Sequence, residues 1–501
     1  MAILLGIDLG TSSVKSILMD ETGHLLAIGQ EAYSFDIPRE GWAEQDPDVW
    51  WSASARTIRQ ALDYARIKPD EIAGIAFSGQ MHGLVPLDAD GRPVRKAIIW
   101  CDQRSSDQVE RIRSQIGMER LGEITGNPVA TGFQLPSLLW MKEHEPDSMD
   151  AVRTVLLPKD YVRYRLTGMM STDLTDAAST LVFDTRRGVW SDELIQALEL
   201  PRSIFPDVHL PEDPSGGVSG EAGRETGLAV GTPVFHGGAD QVMQAVGNGI
   251  LEAGQISVTI GTGGQVFAPL SGFSYDPQLR SHTFNHVVRD RWYFLGAALS
   301  AGLSLRWLRD QILSGMSYAE MDRVAGQRKP GSDGLVFLPY LSGERTPHMD
   351  AEARGLFFGL TLRHGQGHLA RAVMEGVVFA LRDCLEVYRG LGQRADRVIA
   401  SGGGAQSPFW LQLQSDILNV EVRTSRMVEQ AGVGAAITAS VGAGLYAGYR
   451  EACSQVIRWS DTVYSPDQAA VQVYDAYFKL YQELYVANRT LMHRCTSLSR
   501  S

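Results

Sequence analysis

"LLGIDLGTSSVKSILMD", residues Leu4 to Asp20, decides the fold. An apolar run meets Gly10-Thr11 and small polar residues, and a second apolar run follows. That pattern predicts a strand, a glycine-rich turn and a second strand. It returns half the chain later in "ISVTIGTGGQVFAPL", Ile256 to Leu270, around Gly261-Thr262. Two related α/β halves, each opening on a β-hairpin, are the simplest account.

The chain has 501 residues, more than one ordinary core holds, so two large domains are expected, with a boundary near residue 245. Hydrophobic residues make up 44% and charged residues 21%, a folded rather than a disordered composition. Lys and Arg number 46 against 58 Asp and Glu, a net charge of −12 that disfavours a nucleic-acid or anionic-membrane surface but leaves room for one phosphate pocket. Cys101, Cys384, Cys453 and Cys495 form no C-x-x-C, so neither a zinc knuckle nor a redox motif is present, and a reducing cytoplasm fits. "MAILLGIDLG" is broken early by Asp8 and lacks a basic leader, which makes it a strand and not a signal peptide. Gln430 to Tyr449 carries no charge and is long enough to span a bilayer, but its five glycines and few large aliphatics predict a buried helix lying close to a sheet. Helical spacing also marks Leu369–Arg389 and Ala476–Leu491, while Pro206–Thr232, rich in Gly, Pro and Glu, is expected to be a connecting region.

Glycine lets backbone amides approach a ligand, and neighbouring Thr and Ser add donors, so the two turns are candidate anion cradles. A plain hairpin needs glycine too. Neither a P-loop nor G-x-G-x-x-G occurs. A third cluster, "VIASGGGAQSPFWLQLQSDIL" (Val398 to Leu418), runs from a strand through three glycines into a helix, a common seat for a nucleotide. Between the halves lies "GGADQVMQAVG", Gly237 to Gly247, with a lone acid, Asp240, among small and apolar residues. Asp240 reads either as the N-cap of the helix that follows or as a catalytic base.

Taken in order, "GIDLGTSSVK", "GQMHG", "IIWCDQR", "DLTDAAST", "GGADQ", "TIGTGG", "LSGERTPHMDAEARGLFFGLT" and "SGGGAQSPFW" resemble the FGGY carbohydrate kinases over nearly the whole chain. The resemblance implies an α/β fold of two actin-like, hexokinase-like (ribonuclease H-like) domains with a cleft between them. Residues 1–245 would bind mainly the sugar and carry the first phosphate hairpin; 246–501 would bind mainly ATP. It implies ATP-dependent phosphorylation of D-xylulose, with another ketose or polyol as the alternative; a nucleotide-binding relative that has lost turnover is the reading from a different class. The expected partners are a small sugar and ATP, with a homodimer as the assembly to test for, and neither nucleic acid nor membrane.

The same resemblance assigns the residues. Asp240 is the catalytic base, ionised at neutral pH if its pKa stays near about 3.9, and the N-cap reading remains compatible with that role. Asp8, with Asp240, holds Mg²⁺ through water. Thr11, Ser12, Ser13 and Lys15 contact phosphate from the first hairpin, and Thr262 and Gly263 from the second. Gly302 and Arg306 lie near the ribose and phosphates, and Gly403 and Ser407 at the adenosine. Met81 and His82 meet the sugar, Asp102 and Arg104 form its wall as an ion pair, and Asp173 and Asp176 are neighbours of that pocket. "GERTPHMDAEARG" is structural. Ser137 in "PSLLW" stands where the family usually has Lys.

Overall fold

The computed structural model describes residues 2–500. They fall into two compact units. The first holds everything up to Leu251 together with Thr283–Trp292 and Met427–Arg458; the second holds Glu252–His282, Tyr293–Arg426 and the chain from Trp459 onward. The chain first crosses over near the expected boundary but returns twice, so the units are not two contiguous halves.

In the first unit, β1 (Ile3–Leu9), β2 (Ser13–Asp20), β3 (Leu25–Ala32), β4 (Ile72–Gly79), β5 (Pro214–Gly217) and β6 (Pro233–Phe235) form a mixed sheet in the order β5-β6-β4-β1-β2-β3, and β7 (Gly238–Ala239) also pairs with β4. β1 is antiparallel to β2 and parallel to β4. Its near-continuous apolar run suits a central strand covered on both faces. In the second unit, β8 (Gly254–Ile260), β9 (Gly264–Pro269), β10 (Trp292–Ala298), β11 (Ala395–Gly402) and β12 (Glu421–Thr424) run in the order β10-β9-β8-β11-β12. Here β8 is antiparallel to β9 and parallel to β11. Strand for strand, this repeats β3-β2-β1-β4-β6, and both glycine-threonine turns sit at the hairpin tips as expected.

Four helices of the first unit frame its sheet and its acidic residues: α1 (Pro158–Thr167), α2 (Leu174–Ala178), α3 (Asp240–Gly247) and α4 (Gln430–Gly442). α4 lies within the charge-free stretch of the sequence and is the expected buried helix, but it stops at Gly442 and a new helix starts at Tyr449. Among the described residues no helix is long and apolar enough to cross a membrane. Small residues let α4 sit directly on the sheet and on α3. A Cβ on Gly6 of β1 would lie 2.0 Å from the Gly432 carbonyl oxygen, and one on Gly434 would lie 1.9 Å from that of Met243. The opposite face is covered by the helix Pro47–Ala65, whose Thr57 Oγ1 lies 2.8 Å from Ser16 Oγ of β2.

Two expectations change. Pro206–Thr232 is not a linker: it contains the strand Asp207–His209, β5 and the helix Gly220–Thr226, and Val218, Ala222 and Leu228 are buried in the first unit's core. Its Gly and Pro residues mark the turns between short elements. The helices expected at Leu369–Arg389 and Ala476–Leu491 extend over Gln366–Gly390 and Gln468–Arg500. All four cysteines are free thiols.

The backbone contact at Gly6 gives a stability prediction. Gly6→Ala forces a methyl into the Gly432 carbonyl and is expected to cost about 3 kcal/mol. Gly272→Ala, with nothing within 4 Å of the added carbon, stays within about 0.5 kcal/mol of the parent. Urea unfolding of both variants beside the parent measures the difference.

Candidate active site

Residues directly opposite each other in a sheet share a face. Asp8 on β1 stands opposite Lys15 on β2 and Ser78 on β4, and Ser78 stands opposite Gly238 on β7. Asp240 comes two residues after Gly238, so the ladder brings both candidate carboxylates to one end of one face. Ser78 Oγ donates to Asp8 Oδ1 at 2.8 Å, and Lys15 Nζ is 2.6 Å from Glu429 Oε2. Burial pushes the Asp8 carboxyl up, against the Ser78 hydrogen bond and the Lys15 charge.

Asp240 is the first residue of α3. The N-cap position belongs to Ala239 and has no side-chain cap, so the N-cap reading of Asp240 does not hold. Oδ1 is buried and has no hydrogen-bond partner among the described residues. Burial, and then the nearby Asp8 charge, push the Asp240 pKa up to about 7, against hydrogen bonds from the adjacent Gln241. The carboxyl is therefore not fully ionised at neutral pH, as its ordinary value would have made it. A base poised near neutrality transfers protons efficiently.

The neighbouring side chains are largely committed within the unit. The Thr11 hydroxyl donates to Gln80 Oε1 at 3.3 Å and accepts from Trp100 Nε1 at 2.8 Å, and Gln45 Nε2 holds the Thr11 carbonyl at 2.8 Å. Ser12 is exposed at the turn, and Ser13 begins β2. Met81 is buried. His82 has φ +72°, a left-handed backbone rare for a side-chain-bearing residue. Its Nδ1 donates to the Ser179 carbonyl at 2.8 Å, and its ring lies 3.9 Å from that of Phe133. Asp102 and Arg104 do form the expected ion pair, at 2.8 Å. The guanidinium also meets Glu44 at 2.7 Å and lies over Trp42 at 3.8 Å, with both paired side chains fully buried. Ser137 is buried in the helix Gln134–His144, where a lysine would have to bury its charge.

Asp173 and Asp176 belong to a fully buried charge cluster. Lys159 Nζ lies 2.6 Å from Asp160 Oδ1, 2.6 Å from Asp173 Oδ2 and 3.1 Å from Asp176 Oδ2. The three carboxylates stand close enough to hold an ion, but the ammonium of Lys159 already bridges them.

In the second unit a cavity of about 410 Å³ opens beside the β8-β9 turn. Gly261, Thr262, Gly302 and Gly403 line one part of it, and Tyr318, Asp322 and Trp410 another, with Arg306 and Ser407 also on its wall. The carbonyls of Gly261 and Thr262 accept from Gly302 N at 2.9 Å and Leu303 N at 3.0 Å. Gly302 therefore offers a ligand no donor, and its lack of a side chain lets it lie against the Gly261 carbonyl: a Cβ there would lie 2.4 Å from that oxygen. Gly261 and Gly403 have only open space where a Cβ would stand, out to 3.8 and 3.9 Å. Gly263 is turned toward Ala298 and does not line the cavity. Ser407 caps the helix Pro408–Leu418, accepting from Trp410 N at 2.9 Å, and bonds the Asp322 carboxyl. Sequence reading misses Ser78, Glu429, Trp100, Lys159 and Asp322. Ser78 stands immediately before "GQMHG" and Trp100 lies within "IIWCDQR", both motifs already marked.

Two family models match the chain: the N-terminal domain of the FGGY family of carbohydrate kinases over residues 3–247 and its C-terminal domain over residues 256–443. The xylulose kinase of Lactococcus lactis is 37% identical over 500 residues, 99% of this chain and 98% of that protein. The crystal structure of xylulose kinase from Rhodospirillum rubrum is 30% identical with a TM-score of 0.92, covering 98% of this chain and 100% of that one. That of gluconate kinase from Lactobacillus acidophilus is 27% identical with a TM-score of 0.92, covering 97% and 98%.

The raised pKa of Asp240 has a consequence for stability. Between its unfolded value near 3.8 and its folded value of about 7 the native state holds a proton that the unfolded chain has lost, so stability falls as pH rises through that window. Asp240→Asn has no such proton to lose. It is expected to melt a few degrees higher than the parent at pH 8, with the gap closing by about pH 4. Thermal unfolding of both proteins across pH measures it; a gap independent of pH contradicts the assignment.

Proposed function

Because this chain belongs to the FGGY family of carbohydrate kinases, we propose that it transfers the γ-phosphoryl group of ATP to the terminal hydroxyl of D-xylulose, giving D-xylulose 5-phosphate. The observation that carries the reading is Asp240, a half-buried residue with one buried carboxylate oxygen left without a partner and a pKa poised near neutrality. Nothing in the first unit's packing requires an acid there, and phosphoryl transfer requires an acceptor for the hydroxyl proton.

The roles derive from the chemistry of each group. Asp240 takes the proton from the sugar hydroxyl as the new bond to phosphorus forms. His82, held through Nδ1 by the Ser179 carbonyl, would meet a sugar hydroxyl, and buried Met81 would wall the pocket. Asp102 and Arg104 hold that wall rigid. The paired carboxylates of Asp8 and Asp240, one oxygen unmatched, fit a small hard cation with oxygen ligands. Mg²⁺ bound there would offset the charge of the phosphate oxygens. Lys15 adds a positive charge to the same face. On the second unit, the Thr262 hydroxyl and the open flanks of Gly261 and Gly403 suit phosphate oxygens, and the wall around Tyr318 and Trp410 suits a base.

A second reading keeps the chemistry and changes the acceptor. The gluconate kinase shares this fold at the same TM-score as a xylulose kinase, so the fold alone leaves the sugar open.

Measuring ADP release across a panel of pentuloses, polyols and sugar acids is expected to give the highest kcat/KM with D-xylulose; a clear preference for another acceptor replaces the substrate but not the reaction. Asp240→Asn is expected to retain ATP binding and lose about 10²- to 10⁴-fold in kcat. Near-parental turnover in that variant overturns the base role.

A further inference from the structure

Proton transfer at Asp240 leaves the buried Lys159 cluster without a task, and it leaves open what aims the carboxylate, whose Oδ1 has no partner. The hydrogen bonds that Asp240 does receive come from the next residue, Gln241. A carboxylate held so locally takes its direction from its backbone, and the backbone of residues 238–240 rests on that cluster. We propose that Thr175 is a positioning residue for Asp240, the middle of a strut that runs from Lys159 through Asp173 and Thr175 to the Ala239 amide. This rests on the reading of Asp240 as the base.

The strut is continuous. Lys159 Nζ meets Asp173 Oδ2 at 2.6 Å. Asp173 Oδ1, at the N-cap of α2, accepts from the Thr175 amide at 2.8 Å and from the Thr175 hydroxyl at 2.6 Å. The Thr175 hydroxyl in turn accepts from Ala239 N at 2.9 Å. A hydroxyl has one proton to give. Here it goes to Asp173, which leaves the oxygen lone pairs for the amide that precedes Asp240, so the direction of every bond is fixed. Lys159, Asp173, Thr175 and Ala239 are each fully buried, so water cannot replace any of these bonds without opening the unit.

Two glycines mark how closely the strand lies on this support. Gly79 stands opposite Ala239 in the ladder, and a Cβ on it would lie 2.6 Å from the Lys159 Cβ. A Cβ on Gly238 would lie 2.7 Å from the Thr175 hydroxyl oxygen. Both positions admit only hydrogen because β4 and β7 lie flat on α1 and α2. α2 also ends at Ser179, whose carbonyl holds His82. The one short helix thus supports the groups assigned to the base and to the sugar.

The test uses the full chain and compares the parent with Thr175→Val, Thr175→Ser, Asp240→Asn and the double variant Thr175→Val/Asp240→Asn, measuring kcat and both KM values. Thr175→Val removes the strut's central oxygen at nearly constant volume and is expected to lower kcat about 10- to 100-fold, with KM for ATP changed less than about twofold. Thr175→Ser keeps the hydroxyl and is expected to recover kcat to within about threefold of the parent. On the Asp240→Asn background, Thr175→Val is expected to lower kcat by less than about threefold, because the support then has no carboxylate to aim. Gly238→Ala presses a methyl onto the same hydroxyl and gives a second route to the answer if the valine variant does not fold; it too is expected to lower kcat with ATP affinity retained. Parental kcat in folded Thr175→Val or Gly238→Ala overturns the proposal, as does a loss that repeats at full size on Asp240→Asn. An inactive Asp240→Asn beside a fully active Thr175→Val defeats the strut alone. An active Asp240→Asn removes the base itself and the strut with it.

Discussion

Two carboxylates share one end of a sheet face in the first unit, and much of the local structure answers to that fact. Asp8 is raised by burial, and Asp240 by burial and by Asp8. Unrelieved, such a pair works against folding. The relief supplied by the chain is partial: one hydroxyl from Ser78, a lysine shared with Glu429, the adjacent Gln241, and nothing for one oxygen of Asp240. The remainder is unmet by the chain. Under the proposed function, that unmet demand is what a cation and a hydroxyl proton would meet.

The duplicated architecture is legible because its signal is local. Each hairpin needs only an apolar strand, a turn with glycine, and a second apolar strand, all within about twenty residues of chain. The registers show how far the duplication extends. Asp8 stands opposite Ser78, and at the matching place in the second unit Thr259 stands opposite Ser401, with their hydroxyls 2.7 Å apart. The turn was kept in both copies, but only the first has an acid at that position. At that position the two units differ by a single side chain near the end of a central strand.

What stays illegible is long-range or depends on the environment. Glu429 meets Lys15 across 414 residues of sequence, and no motif near either announces the other. Asp240 looks like a helix cap because caps are read from the residue before an apolar run; the structure starts the helix one residue earlier and so places Asp240 inside it. Its pKa comes from burial that no spacing encodes. Gly302 reads as a phosphate contact, yet its amide is spent on the Gly261 carbonyl and its contribution is the absence of a side chain. Pro206–Thr232 carries the composition of a linker because its strands are short and its turns many.

α4 has a consequence for how the polypeptide is made. It is coded more than four hundred residues after β1, yet it covers that strand through a contact at Gly6 that leaves no room for even a methyl group. β1 therefore leaves the ribosome with the apolar face that α4 covers bare, and keeps it so until more than four hundred further residues have been added. The first-made unit is among the last to be finished. A fragment that stops short of Gln430 carries the strands, the acids and the turn, but not the cover that would let them settle into a native sheet.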